Sequence, residues 1–254
     1  MSEPEKQVTA CLIIIGNEIL SGRTQDANLA YIAKKLGEVG IRMREVRVVP
    51  DDEREIAAAV NACRARYTYV FTTGGIGPTH DDITAQSVAK AFGRPFGRNR
   101  EAERRLLDYY PPERVNEERM SMADMPDGVD LIDNPVSVAP GFRIENVYVL
   151  PGVPKIMQAM VDLLLPTLVG GPSMLARTIT VFAPEGDVSK GLGAIQERFL
   201  ELEIGSYPFW RPQGPGTTIV IRGQDQERID EAADALLALA TRLGAETQED
   251  FRSN

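Results

Sequence analysis

Cysteine and histidine are scarce in the 254 residues: two cysteines and one histidine, widely separated, leave no zinc site of the usual ligand spacing. Nor does any apolar run approach the length that crosses a bilayer, and Met1 to Gln7 is polar and acidic, so neither a spanning helix nor a secretory signal is expected. Positive charge is in deficit as well. Lysine and arginine number 28 against 37 aspartate and glutamate, a net charge of −9, which argues against nonspecific nucleic-acid binding. What remains is an ordinary globular composition, 43% hydrophobic and 26% charged, for which a cytoplasmic protein with no membrane partner is the expectation. Cys11 heads an apolar strand and Cys63 falls in a helical stripe, so both read as small core residues in a reducing compartment.

The most informative stretch is Tyr69 to Thr84. An apolar run, Tyr69-Val70-Phe71, passes through Thr72 and Thr73 into Gly74, Gly75 and Gly77, then Pro78, Thr79, His80, Asp81, Asp82 and a helix start at Thr84. A strand, a glycine loop and a helix N-terminus in that order expose backbone N–H groups and the positive end of a helix dipole, a suitable seat for a phosphate. The carboxylates beside it suit a divalent cation. The plainer alternative is a tight turn with an acidic cap.

On either side the patterning is that of βαβαβ. Val8 to Ile15 is a nearly continuous apolar run, as a strand buried on both faces requires; it ends at Gly16, followed by Asn17 and Glu18. Leu29, Ile32, Ala33 and Leu36 mark a helix begun near Thr24 to Asp26 and stopped by Gly37 or Gly40. A second strand over Arg42 to Val49 closes at Pro50-Asp51-Asp52, and Asp52 with Glu55 resembles a capping box for a helix carrying Ile56, Val60 and Cys63. Right-handed crossovers would bring Asn17, Glu18, Asp51, Asp52, Gly75, Asp81 and Asp82 to one sheet edge. Val88, Ala89 and Phe92 predict a short helix ending at Gly93, and Arg98 to Tyr110 another, whose interleaved charges read as a salt-bridged face.

Farther on, strands are expected at Val129 to Ile132 and Val147 to Leu150, then Pro151-Gly152-Val153-Pro154 and a helix over Lys155 to Leu165 with Ile156, Met160 and Leu163 inward. Gly170-Gly171-Pro172 reads as a linker. Beyond it, strands at Arg177 to Phe182, Ile204 to Phe209 and Thr217 to Arg222, with helices at Val188 to Phe199 and Gln226 to Leu243, give βαββα. The expected architecture is therefore a three-layer α/β/α domain with a mainly parallel sheet over 8–169, followed by a small α+β domain over 173–254.

Gly74 to Thr84 resembles the signature of the molybdopterin-binding domain found in molybdenum-cofactor biosynthesis proteins and in competence/damage-inducible protein A. Gly16 to Gly22, Asp26-Ala27-Asn28 and Leu150 to Pro154 also resemble the latter family, in the same order and spacing. One departure stands out: that family reads Asn-Pro-Val-Gly-Thr-Ala-Pro-Gly where this chain has Ser137 and Val138 in place of Gly-Thr, losing a flexible residue and moving a hydroxyl to Ser137. By resemblance the tail is KH-like, yet it lacks a Gly-x-x-Gly clamp and is acidic, so packing or oligomerisation is expected of it rather than RNA binding. The deamidase domain that follows in longer family members is not expected in a chain ending at Asn254.

What the resemblance implies is a phosphorylated small-molecule ligand, either molybdopterin or a dinucleotide, and self-association into a homo-oligomer. The ligand-contacting residues would be Gly16, Asn17, Glu18, Thr73, Gly74, Gly75, Gly77, Pro78, Thr79, His80, Thr84, Ser137, Pro151, Gly152 and Pro154. His80 either contacts phosphate or caps a turn. If the domain is an enzyme, Asp82, Asp51 and Asp81 are the catalytic candidates, with Asp51 and Asp82 holding Mg²⁺ or Co²⁺ for pyrophosphate cleavage of ADP-ribose- or FAD-like compounds. Asp82 has the best claim, because the family's Asp-x-Thr step falls on Asp82-Ile83-Thr84. The alternatives are adenylylation of molybdopterin with Mg-ATP and a module that binds without turnover.

Overall fold

The computed structural model describes residues 7–212 and 214–250; residues 1–6, within the polar N-terminal stretch, and 251–254, the end of the expected second domain, lie outside them. The chain divides into two compact units, Met1–Gly171 and Pro172–Asn254. Among the described residues no helix is long and apolar enough to cross a membrane.

In the first unit, β1 (Thr9–Ile15) leads into a short α1 (Asn17–Leu20), then α2 (Asn28–Glu38), β2 (Arg42–Val49), α3 (Glu53–Arg64), β3 (Tyr69–Thr73) and α4 (Thr84–Phe92). β1 lies between β2 and β3 and runs parallel to both. Its side chains alternate between two cores. Cys11, Ile13 and Ile15 pack with Ile56, Val60 and Val88 of α3 and α4, while Ala10, Leu12 and Ile14 pack with Ile32 and Leu36 of α2. Both faces are thus dry, which is why the strand is apolar without interruption, and each fully buried Leu or Ile contributes roughly 1.5–3 kcal/mol. Asp52 caps α3 by accepting from the Arg54 and Glu55 amides. Asp26 precedes α2 by two residues and accepts from Leu29 N at 2.8 Å.

The chain continues through β4 (Phe96–Arg98), α5 (Arg100–Tyr109), α6 (Glu117–Met120), β5 (Asp124–Pro126), β6 (Asp130–Ile132), β7 (Gly141–Ile144), β8 (Val147–Leu150) and α7 (Pro154–Leu164). The six-stranded sheet has the order β2-β1-β3-β8-β7-β6. β8 joins β3 in parallel, whereas β7 is antiparallel to both of its neighbours. That antiparallel strand, and the small β4–β5 ladder, are additions to the expected pattern: β7 spans four residues inside a stretch punctuated by proline and glycine. In α7, Met157, Met160 and Val161 are buried and Leu163 is 51% exposed, so Leu163 does not face inward as its spacing suggested. Arg98 belongs to β4 rather than to the helix, and Asn99 caps α5 instead. The charged face of α5 is the salt-bridged one expected, with Arg104 and Arg105 both on Glu101.

The second unit runs β9 (Leu175–Val181), α8 (Glu185–Arg198), β10 (Glu203–Arg211), β11 (Gly214–Gly223), α9 (Gln226–Leu243) and β12 (Thr247–Asp250), with the antiparallel order β10-β11-β9-β12. Its core joins Ile179, Val181, Ile219 and Ile221 of the sheet to Ile195, Ile229 and Leu236 of the helices. Asp225 caps α9, and Gly244 ends it at φ +67°. β12 extends the expected βαββα by one strand, which gives the split β-α-β arrangement.

Candidate functional site

Three parallel strands end side by side, and each ends in glycine. β1 gives way to Gly16, β3 to Gly74 and Gly75, and β8 to Pro151-Gly152. Backbone packs on backbone here. A Cβ on Gly74, where φ is +102°, would lie 2.2 Å from the Ile15 carbonyl oxygen, and one on Gly152 would lie 3.3 Å from the Gly74 Cα. Gly74 N also donates to Leu150 O at 3.1 Å. Only glycine permits this approach, so the close seating of the three strand ends is the physical reason for the motif.

The loop after β3 is fastened from behind by Thr84, the first residue of α4. Its fully buried hydroxyl donates to Gly74 O at 2.9 Å, and its amide donates to Gly75 O at 2.9 Å. Gly75, at φ +68°, leaves room for that hydroxyl. Held in this way, the loop presents three consecutive amides, those of Gly75, Ile76 and Gly77, that among the described residues donate to no protein acceptor. Successive free N–H groups form a concave anion seat.

Beside it the chain turns at Thr79. The Asp82 carboxylate accepts from Thr79 N at 2.8 Å, and the Thr79 hydroxyl bonds both Asp82 and Asp81, the latter at 2.7 Å. The Thr79 hydroxyl holds the Asp81 carboxyl below its ordinary value, reinforced by a backbone hydrogen bond. His80 is exposed in the same turn.

A cavity of about 480 Å³ opens over this loop, walled by Gly74 to Pro78, Asp82, Glu18, Ser137 and Pro151 to Val153 among others. A second cavity of about 220 Å³ adjoins it across Ile76, Gly77, Asp82 and Met122, and takes in Thr79 and His80. Asp82 faces both. Among the described residues the wall of the larger cavity holds two carboxylates, Glu18 and Asp82, and no lysine or arginine.

Of the residues singled out from sequence, Glu18, Gly74, Gly75, Gly77, Pro78, Asp82, Ser137, Pro151 and Gly152 share the larger cavity, and Thr79 and His80 the smaller. Gly16, Asn17, Thr73, Thr84, Pro154, Asp51 and Asp81 line neither. Asp51 accepts from Asn17 N at 2.8 Å, tying the end of β2 to α1. Asp51 and Asp82 therefore serve separate backbone clamps, and among the described residues no group of three or more His, Cys, Asp or Glu is placed to hold a metal ion.

Two residues absent from the sequence-derived site belong to it. Asn134, buried in the cavity wall, accepts from the Val136 and Ser137 amides at 3.0 Å and donates to Ser137 Oγ and Ala139 O at 2.8 Å. It shapes the loop that carries Ser137, whose own hydroxyl hydrogen remains for another acceptor. Asn28 donates to Gly152 O at 2.9 Å, while its buried Oδ1, like the buried Thr73 hydroxyl, has no partner among the described residues. Both asparagines lie in motifs legible in the sequence, Asp26-Ala27-Asn28 and Asn134-Pro135; what the sequence hid is that their amides brace the backbone.

Residues 11–170 match the family described as probable molybdopterin binding domain, and residues 173–247 match the middle domain of FAD synthase. A protein of Archaeoglobus fulgidus is 34% identical over 223 residues, 87% of this chain and 93% of its own length. A probable FAD synthase of Caenorhabditis briggsae is 32% identical over 93% of this chain, which spans 50% of that protein's length. Among solved structures, the protein CinA of Thermoplasma acidophilum is 35% identical with a TM-score of 0.59, covering 63% of this chain and 96% of its own.

Proposed function

The chain belongs to the probable molybdopterin binding domain family, and from that premise we propose that its first unit binds a phosphorylated nucleotide or pterin in the 480 Å³ cavity. The observation that carries this reading is the row of three amides at Gly75, Ile76 and Gly77 that find no acceptor among the described residues, held in place by Thr84. Phosphate oxygens would accept from these amides, and the flat ring would lie toward the loop of Asn134 and Ser137. With Glu18 and Asp82 in the wall and no basic side chain, an anionic ligand is expected to enter with its counter-cation, whose ligands would be chiefly the phosphates.

The enzymatic form of this proposal is cleavage of a pyrophosphate bridge in ADP-ribose- or FAD-like compounds, with Asp82 the carboxylate that faces both cavities. Its test is product analysis with ADP-ribose and FAD, with Mg²⁺ or Co²⁺ added or withheld, beside Asp82→Ala. AMP that needs the cation and disappears in the variant is the expected result; no AMP from a folded protein would overturn cleavage of these substrates. One observation favours a second reading, molybdopterin binding without turnover: Asp81 and Asp82 are both engaged by Thr79. Thermal stabilisation by ligand with no product would decide for it.

A further inference from the structure

Cys11 and Cys63 lie 52 residues apart in sequence and meet in the core of the first unit. Cys11 is the third residue of β1, on the face toward α3, and Cys63 is the penultimate residue of α3. The Cys11 thiol donates to the Cys63 sulfur at 3.0 Å; both residues are fully buried, and both are free thiols. A disulfide has its sulfurs about 2.05 Å apart, so bond formation asks each sulfur to move by only about half an ångström. A hydrophobic filling role requires no such sulfur-to-sulfur approach.

We propose that Cys11 and Cys63 are a reversible oxidation site that closes to an intramolecular disulfide when the protein meets a small peroxide. The Cys63 thiolate attacks one peroxide oxygen, the O–O bond breaks, and a sulfenic acid forms as the departing hydroxide takes a proton and leaves as water. The Cys11 sulfur then attacks the sulfenic sulfur, the S–O bond breaks, and a second water carries off the oxygen and the Cys11 proton. Two thiols lose two electrons and two protons, and one peroxide is reduced to two waters. Cys63 takes the first step because the hydrogen bond it accepts from Cys11, with Arg47 acting in the same direction, holds its thiol below the ordinary value against the opposing effect of burial, whereas the same contact and burial both push Cys11 up. Both thiols are closed to solvent, so the peroxide reaches them by local opening of the packing between β1 and α3.

The pair lies toward the amino end of β1, away from the edge where Gly16, Gly74 and Gly152 gather. Closing it staples β1 to α3 around a long loop, so the disulfide stabilises the unit and leaves the ligand cavity as it is.

The experiment treats the fully reduced chain with hydrogen peroxide, then denatures it, alkylates it and reads intact and peptide masses. The expected outcome is loss of two hydrogens, no alkylatable thiol, a linked pair of peptides holding residues 11 and 63, and full reversal by a dithiol reductant. The thermal midpoint of the oxidised protein should rise by roughly 5–15 °C, and Cys63→Ser and Cys11→Ser should each abolish that rise. Two alkylatable thiols after peroxide, arrest at sulfinic acid, or a link between two chains would each overturn the proposal. The wild-type mass reading decides even if a serine variant fails to fold.

Discussion

The Thr84 hydroxyl donates to the Gly74 carbonyl at 2.9 Å across ten residues, fastening the start of α4 to the loop that follows β3. Both residues are buried, so the carbonyl has no recourse to water once the donor is removed. Thr84→Val is expected to cost about 1–3 kcal/mol in urea unfolding, and Thr84→Ser to keep most of that stability. Equal losses in the two variants would assign the effect to packing.

Glycine is required at Gly74 in a way that it is not at Gly93. Both have positive φ, but a Cβ at Gly93 meets nothing within 4 Å, whereas one at Gly74 lies 2.2 Å from Ile15 O. Gly93→Ala should cost about 1 kcal/mol, the price of a left-handed residue with a side chain. Gly74→Ala should cost considerably more and disable the cavity, which parallel denaturation and ligand-binding titrations would show.

Val138 adopts φ +66°, a conformation that a β-branched residue reaches only under strain. It stands in the loop that Asn134 spans through its bond to Ala139 O. Val138→Gly is expected to raise stability by about 0.5–1 kcal/mol despite deleting an apolar side chain. A denaturation midpoint that falls instead would mean that the valine side chain outweighs the strain.

The Asp81 carboxyl sits below its ordinary value because it accepts from the Thr79 hydroxyl. A depressed carboxylate stabilises the turn above its unfolded-state pKa, and that contribution is lost as pH falls through the folded value. Carboxyl-carbon NMR titration should therefore find Asp81 titrating below the ordinary aspartate range, and Thr79→Ala should move its titration up toward that range. An unmoved midpoint would remove Thr79 as the cause.

Most of the frame was legible in the sequence because it is written in periodicity. The nearly continuous apolar run at Val8 to Ile15 fits a strand dry on both faces, and Asp52, Asp225 and Gly244 mark helix ends through local chemistry that the structure repeats. The missed elements lack such marks. β7 is four residues long, and β12 reads Thr-Gln-Glu-Asp with no apolar alternation, so its pairing with β9 comes from the fold rather than from its own residues. In the site, the glycine loop is marked by Gly74, Gly75 and Gly77, whereas the backbone clamps made by Asp51 on Asn17 N and by Asp82 on Thr79 N leave no mark in the residue pattern. Distances between residues brought together by crossovers, such as Cys11 and Cys63, leave no trace in spacing.

The most direct measurement is an NMR titration of the uniformly ¹⁵N-labelled chain with ADP-ribose, in the presence of Mg²⁺. Phosphate seated on the loop should shift the amide resonances of Gly75, Ile76 and Gly77 together and saturably, with slower hydrogen exchange at the same three positions. If those amides stay in place at saturating ligand while resonances elsewhere move, or if none moves, the loop does not hold this ligand's phosphates and the assignment of the site is wrong.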